Sequence, residues 1–226
     1  LSADRPRRPP AHDVAVVGLG HFGGQVAVSL SRLGHEVLAV DDDLRVVQRW
    51  AQELTYVVQA DATDGVALRQ LGLADFQRVV VAIGDRVEAS VLTVLAVAEL
   101  GVPQIWARAT SDQHARILSS VGAHHVVFPE AAMGERVAHL IVSRLLDFVE
   151  FDRDFAIAKI RAPAAVVGRR VGEVDVRDGH GVVVVGVKPP DGGRFAYADE
   201  NTVITPGCVL IVEGTIEQVQ RFAATG

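Results

Sequence analysis

The chain has 226 residues, 49% of them hydrophobic and 22% charged, with a formal net charge of −6 at neutral pH. That length allows a large core and two modules, and no uninterrupted apolar run reaches the ~18 residues of a membrane-spanning helix. A single cysteine, Cys208, set among Val203, Ile204 and Val209–Val212, excludes an intrachain disulfide and fits a reducing compartment.

Residues 1–12, with Arg5, Arg7, Arg8 and three prolines against one aspartate, lack the apolar stretch of a secretory signal and are expected to be a flexible leader. Without those arginines the remainder is more acidic still, which gives it no electrostatic reason to seek nucleic acid. From Asp13 to about Phe128, short β-branched runs alternate with amphipathic stretches. Strands are expected at Val14–Val17, Glu36–Val40, Tyr56–Gln59, Arg78–Ala82, Gln104–Ala107 and His125–Phe128. Helices are expected near Gly23–Leu33, Leu44–Glu53, Gly65–Leu71, Val87–Leu100 and Asp112–Val121. Right-handed crossovers turn this alternation into a doubly wound parallel sheet whose ligand lies at the carboxyl ends of the strands.

Pro129 and Glu130 open a long helical stretch, read as running from Ala131 to about Val149 on the spacing of Val137, Leu140, Ile141, Leu145, Leu146 and Phe148. After the polar break at Asp152-Arg153-Asp154 the texture becomes β-rich, with strands at Phe155–Arg161, Val182–Lys188, Phe195–Tyr197 and Cys208–Glu213 and helical stretches near Arg169–Val174 and Thr215–Ala223. The expected organisation is therefore an α/β Rossmann domain over 13–130, a crossover helix and linker over 131–151, and a small α+β domain over 152–226.

The first strand runs into Gly18-Leu19-Gly20-His21-Phe22-Gly23-Gly24, a G-x-G-x-x-G pattern where strand must become helix. Gly18 allows a tight turn, Gly20 lets backbone approach a pyrophosphate, and Gly23 lets helix and strand pack closely. Asp41, about 20 residues on at the end of the second strand, suits ribose hydroxyls. Asp42 and Asp43 beside it would repel a 2′-phosphate, which disfavours NADP. Further ligand groups stand after the third strand, at Asp61, Ala62 and Thr63, and after the fourth, at Ile83 and Gly84. No nucleophile–base pair, no G-x-S-x-G and no metal-spaced cysteine cluster appears, and adjacent His124 and His125 read as structural. The motifs favour nucleotide binding without turnover, with an NAD-dependent oxidoreductase or NAD(H) sensor as the alternative.

These residues resemble the regulator of potassium conductance family, the TrkA and KtrA type cytosolic subunits of bacterial potassium uptake systems. The resemblance rests on Val17–Gly24, Glu36–Asp41, Val81–Gly84, Ile105–Arg108 and Phe128–Gly134, and is nearer the KtrA type, with one pair of modules, than the doubled TrkA type. It implies a non-enzymatic subunit that binds ATP or ADP, with NAD or NADH as the alternative. It further implies dimers assembling into an octameric ring that gates a membrane potassium subunit of the KtrB or TrkH type from the cytoplasmic face. By the same resemblance Gly18, Gly20, His21, Phe22 and Gly23 would hold phosphates, Asp41 the ribose, and Asp61, Ala62 and Thr63 would lie near the base, with Ile83, Gly84 and Arg108 completing the site. Glu130 corresponds to a family glutamate that meets a divalent cation, Mg or Ca, at the dimer interface; its position also suits ordinary helix capping. His21 stands where KtrA-type relatives place arginine, which implies weaker discrimination of a γ-phosphate. In the C-terminal module Arg177 matches a second site that binds cyclic di-AMP in some members, although Val183 replaces their asparagine and Arg177 also reads as a surface arginine.

Overall fold

The computed structural model describes residues 14–152, 154–174 and 176–225, without the side chains of residues 177 and 178. The expected leader at 1–12 lies outside the described residues. The chain divides after Ala132 into two compact units.

In the first unit, β1 (Val14–Val17), β2 (Val37–Asp41), β3 (Tyr56–Gln59), β4 (Arg78–Val81), β5 (Gln104–Arg108) and β6 (His125–Val127) form one parallel sheet in the order β3-β2-β1-β4-β5-β6. Helices α1 (His21–Arg32), α2 (Leu44–Trp50), α3 (Gly65–Gln70), α4 (Val87–Glu99) and α5 (Asp112–Ser120) connect the strands. All four residues of β1 are buried, because a central parallel strand is covered on both faces. Ala15 and Val17 enter a core with Val94 and Val97 of α4 and Leu118 of α5, while Val16 enters another with Ala27 and Val28 of α1 and Trp50 of α2. Polar residues set the helix starts: Asp43, Asp64 and Ser111 accept the N–H groups of Arg45, Val66 and His114 respectively. The strand order reverses between β1 and β4, which opens a crevice beyond their carboxyl ends.

α6 (Pro129–Val142) starts where Pro129 and Glu130 place it, but it ends earlier than the apolar spacing suggested. Residues expected to continue the helix to about Val149 instead form β7 (Leu145–Asp152), paired antiparallel with β8 (Phe155–Arg161). The register shifts between Leu145 and Asp147, and this bulge puts buried Leu145 and Phe148 three residues apart, a spacing that imitates a helix face.

The second unit holds a five-stranded sheet in the order β10-β9-β11-β8-β7, in which a short helical turn α7 (Arg177–His180) lies between β8 and β9 (Val183–Lys188), followed by β10 (Ala196–Tyr197) and β11 (Val209–Gly214). α8 (Ile216–Ala223), capped by reciprocal bonds between Thr215 and Gln218, lays Val219 and Phe222 against Ile160, Leu210 and Val212. The helix expected near Arg169–Val174 is only a short 3-10 turn at Val171–Glu173. Cys208 is fully buried, and burial pushes its thiol pKa up, so it behaves as a small core residue.

Candidate functional site

A cavity of about 320 Å³ opens at the carboxyl ends of β1, β2, β3 and β4. Its floor is the glycine turn. Gly18 has φ +88°, and a Cβ there would lie 3.0 Å from the Ile83 side chain, so both conformation and space call for glycine. Gly20 precedes α1 without a side-chain cap, and a Cβ built on it meets nothing within 4 Å; its free side faces room for a ligand. The N–H groups of the first turn of α1 therefore lack a side-chain partner, a setting that favours an anion. Gly23 lies below the cavity, where a Cβ would be 1.9 Å from the Gly18 carbonyl oxygen, so it serves packing of helix on strand.

Asp41 ends β2 with its carboxylate turned back on the turn. One oxygen accepts from the Leu19 N–H at 2.6 Å and the other from the Asp43 N–H at 2.9 Å. A carboxylate has about four acceptor positions, so ribose hydroxyls can still donate to it. The Leu19 carbonyl in turn accepts from Trp50 Nε1 at 2.7 Å, and the indole lies across Gly24, where a Cβ would be 1.9 Å from the ring. Trp50 and Gly24 thus hold the turn from behind, a support the motif alone does not reveal.

Asp61, Ala62 and Thr63 line the cavity after β3. Asp61 accepts from both the hydroxyl and the N–H of Thr63, and these bonds, helped by Arg86, hold its carboxyl below the usual range. Arg86 lines the mouth and pairs with Asp42 at 2.6 Å, and Asp42, with Asp41 and Asp61, raises its pKa further. Sequence reasoning passed over Arg86; its one signal was a cation directly after Ile83-Gly84-Asp85 at the end of a strand. Ile83, Gly84 and Arg108 lie on the other side. Arg108 rests on Gly84, where a Cβ would fall 2.4 Å from the guanidinium carbon, and pairs with Glu130 at 2.6 Å.

The structure therefore brings Gly18, Gly20, Asp41, Asp61 and Arg108 to one cavity with the small residues between them. His21 and Phe22 sit in the first turn of α1 and do not line it. Glu130 offers one carboxylate, already paired with Arg108, and among the described residues no group of three side chains could hold a metal. Residues of one chain alone do not make a cation site there. His124 accepts from the Ile105 N–H, and His125 stacks on Trp106, so both have structural partners. Arg177 begins α7, and its side chain falls outside the described residues.

The strand order and glycine turn define a doubly wound, Rossmann-type domain, here followed by a small antiparallel one. Residues 14–129 match the TrkA-N domain and residues 155–225 the TrkA-C domain. The chain is 38% identical over 212 residues to Ktr system potassium uptake protein C of Bacillus subtilis (strain 168), covering 93% of this chain and 95% of that protein. Among solved structures it is similar to the GsuK channel, with a TM-score of 0.64 at 19% identity over 95% of this chain and 39% of that one. The GsuK channel bound to NAD gives a TM-score of 0.51 at 24% identity, over 96% of this chain and 39% of that one. This chain thus spans well under half of the channel's length, and the likeness concerns the fold. The chain belongs to the TrkA-N/TrkA-C family of the Ktr potassium uptake proteins, the regulator of potassium conductance type. That relative is named a potassium uptake protein, in line with the expected non-enzymatic subunit rather than with the oxidoreductase alternative.

Proposed function

We propose that the chain is a nucleotide-sensing regulatory subunit of a potassium uptake system. The observation that supports this most strongly is the cavity floored by Gly18 and Gly20 and edged by Asp41, in a chain that spans 95% of a Ktr protein. The adenosine of ATP or ADP would lie at the carboxylate end, its ribose on Asp41. Its phosphates would lie over the glycine turn, toward the uncapped start of α1 and the Arg108 guanidinium. NAD or NADH is the second ligand reading, favoured by the NAD-bound relative of the same fold.

Bound nucleotide would change the shape of a ring of copies and so gate a potassium-translocating membrane partner. It can do so only to the extent that its affinity differs between the two ring shapes. Self-association is supported by apolar side chains left exposed on neighbouring helices: Leu92 and Leu95, one turn apart on α4, are 42% and 39% exposed, and Ile117 on α5 is 44% exposed. Glu130 would reach a divalent cation only together with carboxylates of a second copy. Arg177 would serve a phosphate of a second ligand such as cyclic di-AMP. No helix of the described residues is long and apolar enough to cross a membrane, which fits a subunit acting at the cytoplasmic face.

The test combines light scattering on a size-exclusion column with thermal unfolding in ATP, ADP and NADH. An oligomer is expected, stabilised by about 2.7 kcal/mol when its nucleotide is present at a hundredfold excess over Kd. A strict monomer indifferent to all three nucleotides would contradict the reading.

A further inference from the structure

One ion pair crosses the crevice. Asp42 follows β2 and Arg86 follows β4, and in the sheet order β1 lies between those two strands. The bond from Arg86 Nη2 to the Asp42 carboxylate, 2.6 Å long, therefore spans the carboxyl end of β1, where the glycine turn begins, and both residues line the cavity. Each root is anchored: the Asp42 carbonyl accepts from Gln59 Nε2 at 3.0 Å, and the Arg86 carbonyl accepts from the Ser90 N–H at 3.0 Å as α4 begins. The charged heads are exposed, so opening the pair takes only side-chain rotations, which occur in nanoseconds or less. Charge places the pair as well. Asp42 foremost, then Asp41 and Asp61, hold the Arg86 guanidinium and raise its pKa, while Arg108, the other arginine of the lining, is committed to Glu130.

We propose that Asp42 and Arg86 are positioning residues, and that their ion pair is a strap that closes across bound nucleotide and slows its release. The proposal rests on the nucleotide reading above. With ribose on Asp41 and phosphates over the glycine turn, the ligand runs from one root of the strap toward the other, through the gap that the pair bridges. It leaves only while the pair is open. A bound nucleoside displaces water from the crevice, which weakens screening around the pair and favours the closed form. Exposed ion pairs are weak, so the strap changes a rate by a small factor and does not lock the site. One substitution separates a strap from plain charge attraction by its sign. Removing the Asp42 carboxylate takes a negative charge away from an anionic ligand, which by itself tightens binding. Loss of a strap speeds release instead.

Surface plasmon resonance with ADP and NADH on wild type, Asp42→Asn, Arg86→Met and the D42N/R86M double variant tests this. For a nucleotide that binds wild type, each single variant should release it about twofold to fivefold faster, and the double variant no faster than either. The exchanged pair D42R/R86D should restore slow release. Thermal melts close to that of wild type are expected throughout, because the substituted side chains are exposed. The unaltered protein offers a second check. Raising salt from about 50 mM to about 500 mM should speed release from wild type toward the rate of the variants, with a smaller response in D42N/R86M. Release from D42N as slow as from wild type, or slower, overturns the strap alone and leaves Arg86 acting by charge. An equal salt response in wild type and the double variant overturns it too. Failure of wild type to bind ADP, ATP or NADH overturns it together with the reading beneath it.

Discussion

The glycine turn is held by contacts that lie behind it. Asp41 fixes the Leu19 N–H, Trp50 fixes the Leu19 carbonyl, and Gly24 leaves the space that the indole fills. Gly24→Ala should therefore be costly although Gly24 is outside the G-x-G-x-x-G pattern. The added methyl would meet the Trp50 ring, and overpacking of this kind costs about 1–3 kcal/mol, measurable as a lower midpoint of chemical unfolding at unchanged slope. A variant as stable as wild type would show that the indole moves aside freely. At this scale Gly18, Gly20 and Asp41 were legible because motif spacing carries them. Trp50 and Arg86 were not, because each reaches the site through packing or a loop path that linear spacing does not encode.

Among elements, the six parallel strands stand close to their expected bounds, since all but β5 are β-branched runs that end in or run within three residues into glycine, aspartate or proline. The exception is β7. Its bulge against β8 replaces strict alternation by a three-residue spacing, and pairing with β8 then outweighs the helical signal of Leu145 and Phe148. α5 carries a pH response. His114 is 2% exposed at the start of that helix; its Nδ1 accepts from the Thr110 N–H, Nε2 has no partner among the described residues, and burial pushes its pKa down. The imidazole is neutral when folded and takes up a proton on unfolding below about pH 6.5. Stability should thus be indifferent to this group above that pH and should fall as the pH drops from there toward the depressed folded value. Urea unfolding between pH 8 and pH 5.5 checks the trend, and His114→Gln should flatten it. Titration of the folded His114 ring near pH 6.5 would contradict it.

For the whole molecule, the sequence places a nucleotide-type cavity in the first unit and a separate small sheet in the second, and family membership joins the two to potassium uptake. The second unit was less legible than the first, because its strands are short, its sheet is antiparallel, and its connections carry no fixed motif. The proposed function depends on occupancy of one cavity. Its most direct test is calorimetric titration of ADP into wild type and Asp41→Asn, with thermal melts of both proteins as the control for folding. One ADP per chain is expected for wild type, weakened about tenfold to a hundredfold in D41N, as loss of a charge-assisted hydrogen bond to ribose requires. Equal affinity in the two folded proteins, or no heat of binding in wild type, would contradict the assignment of this cavity to a nucleotide.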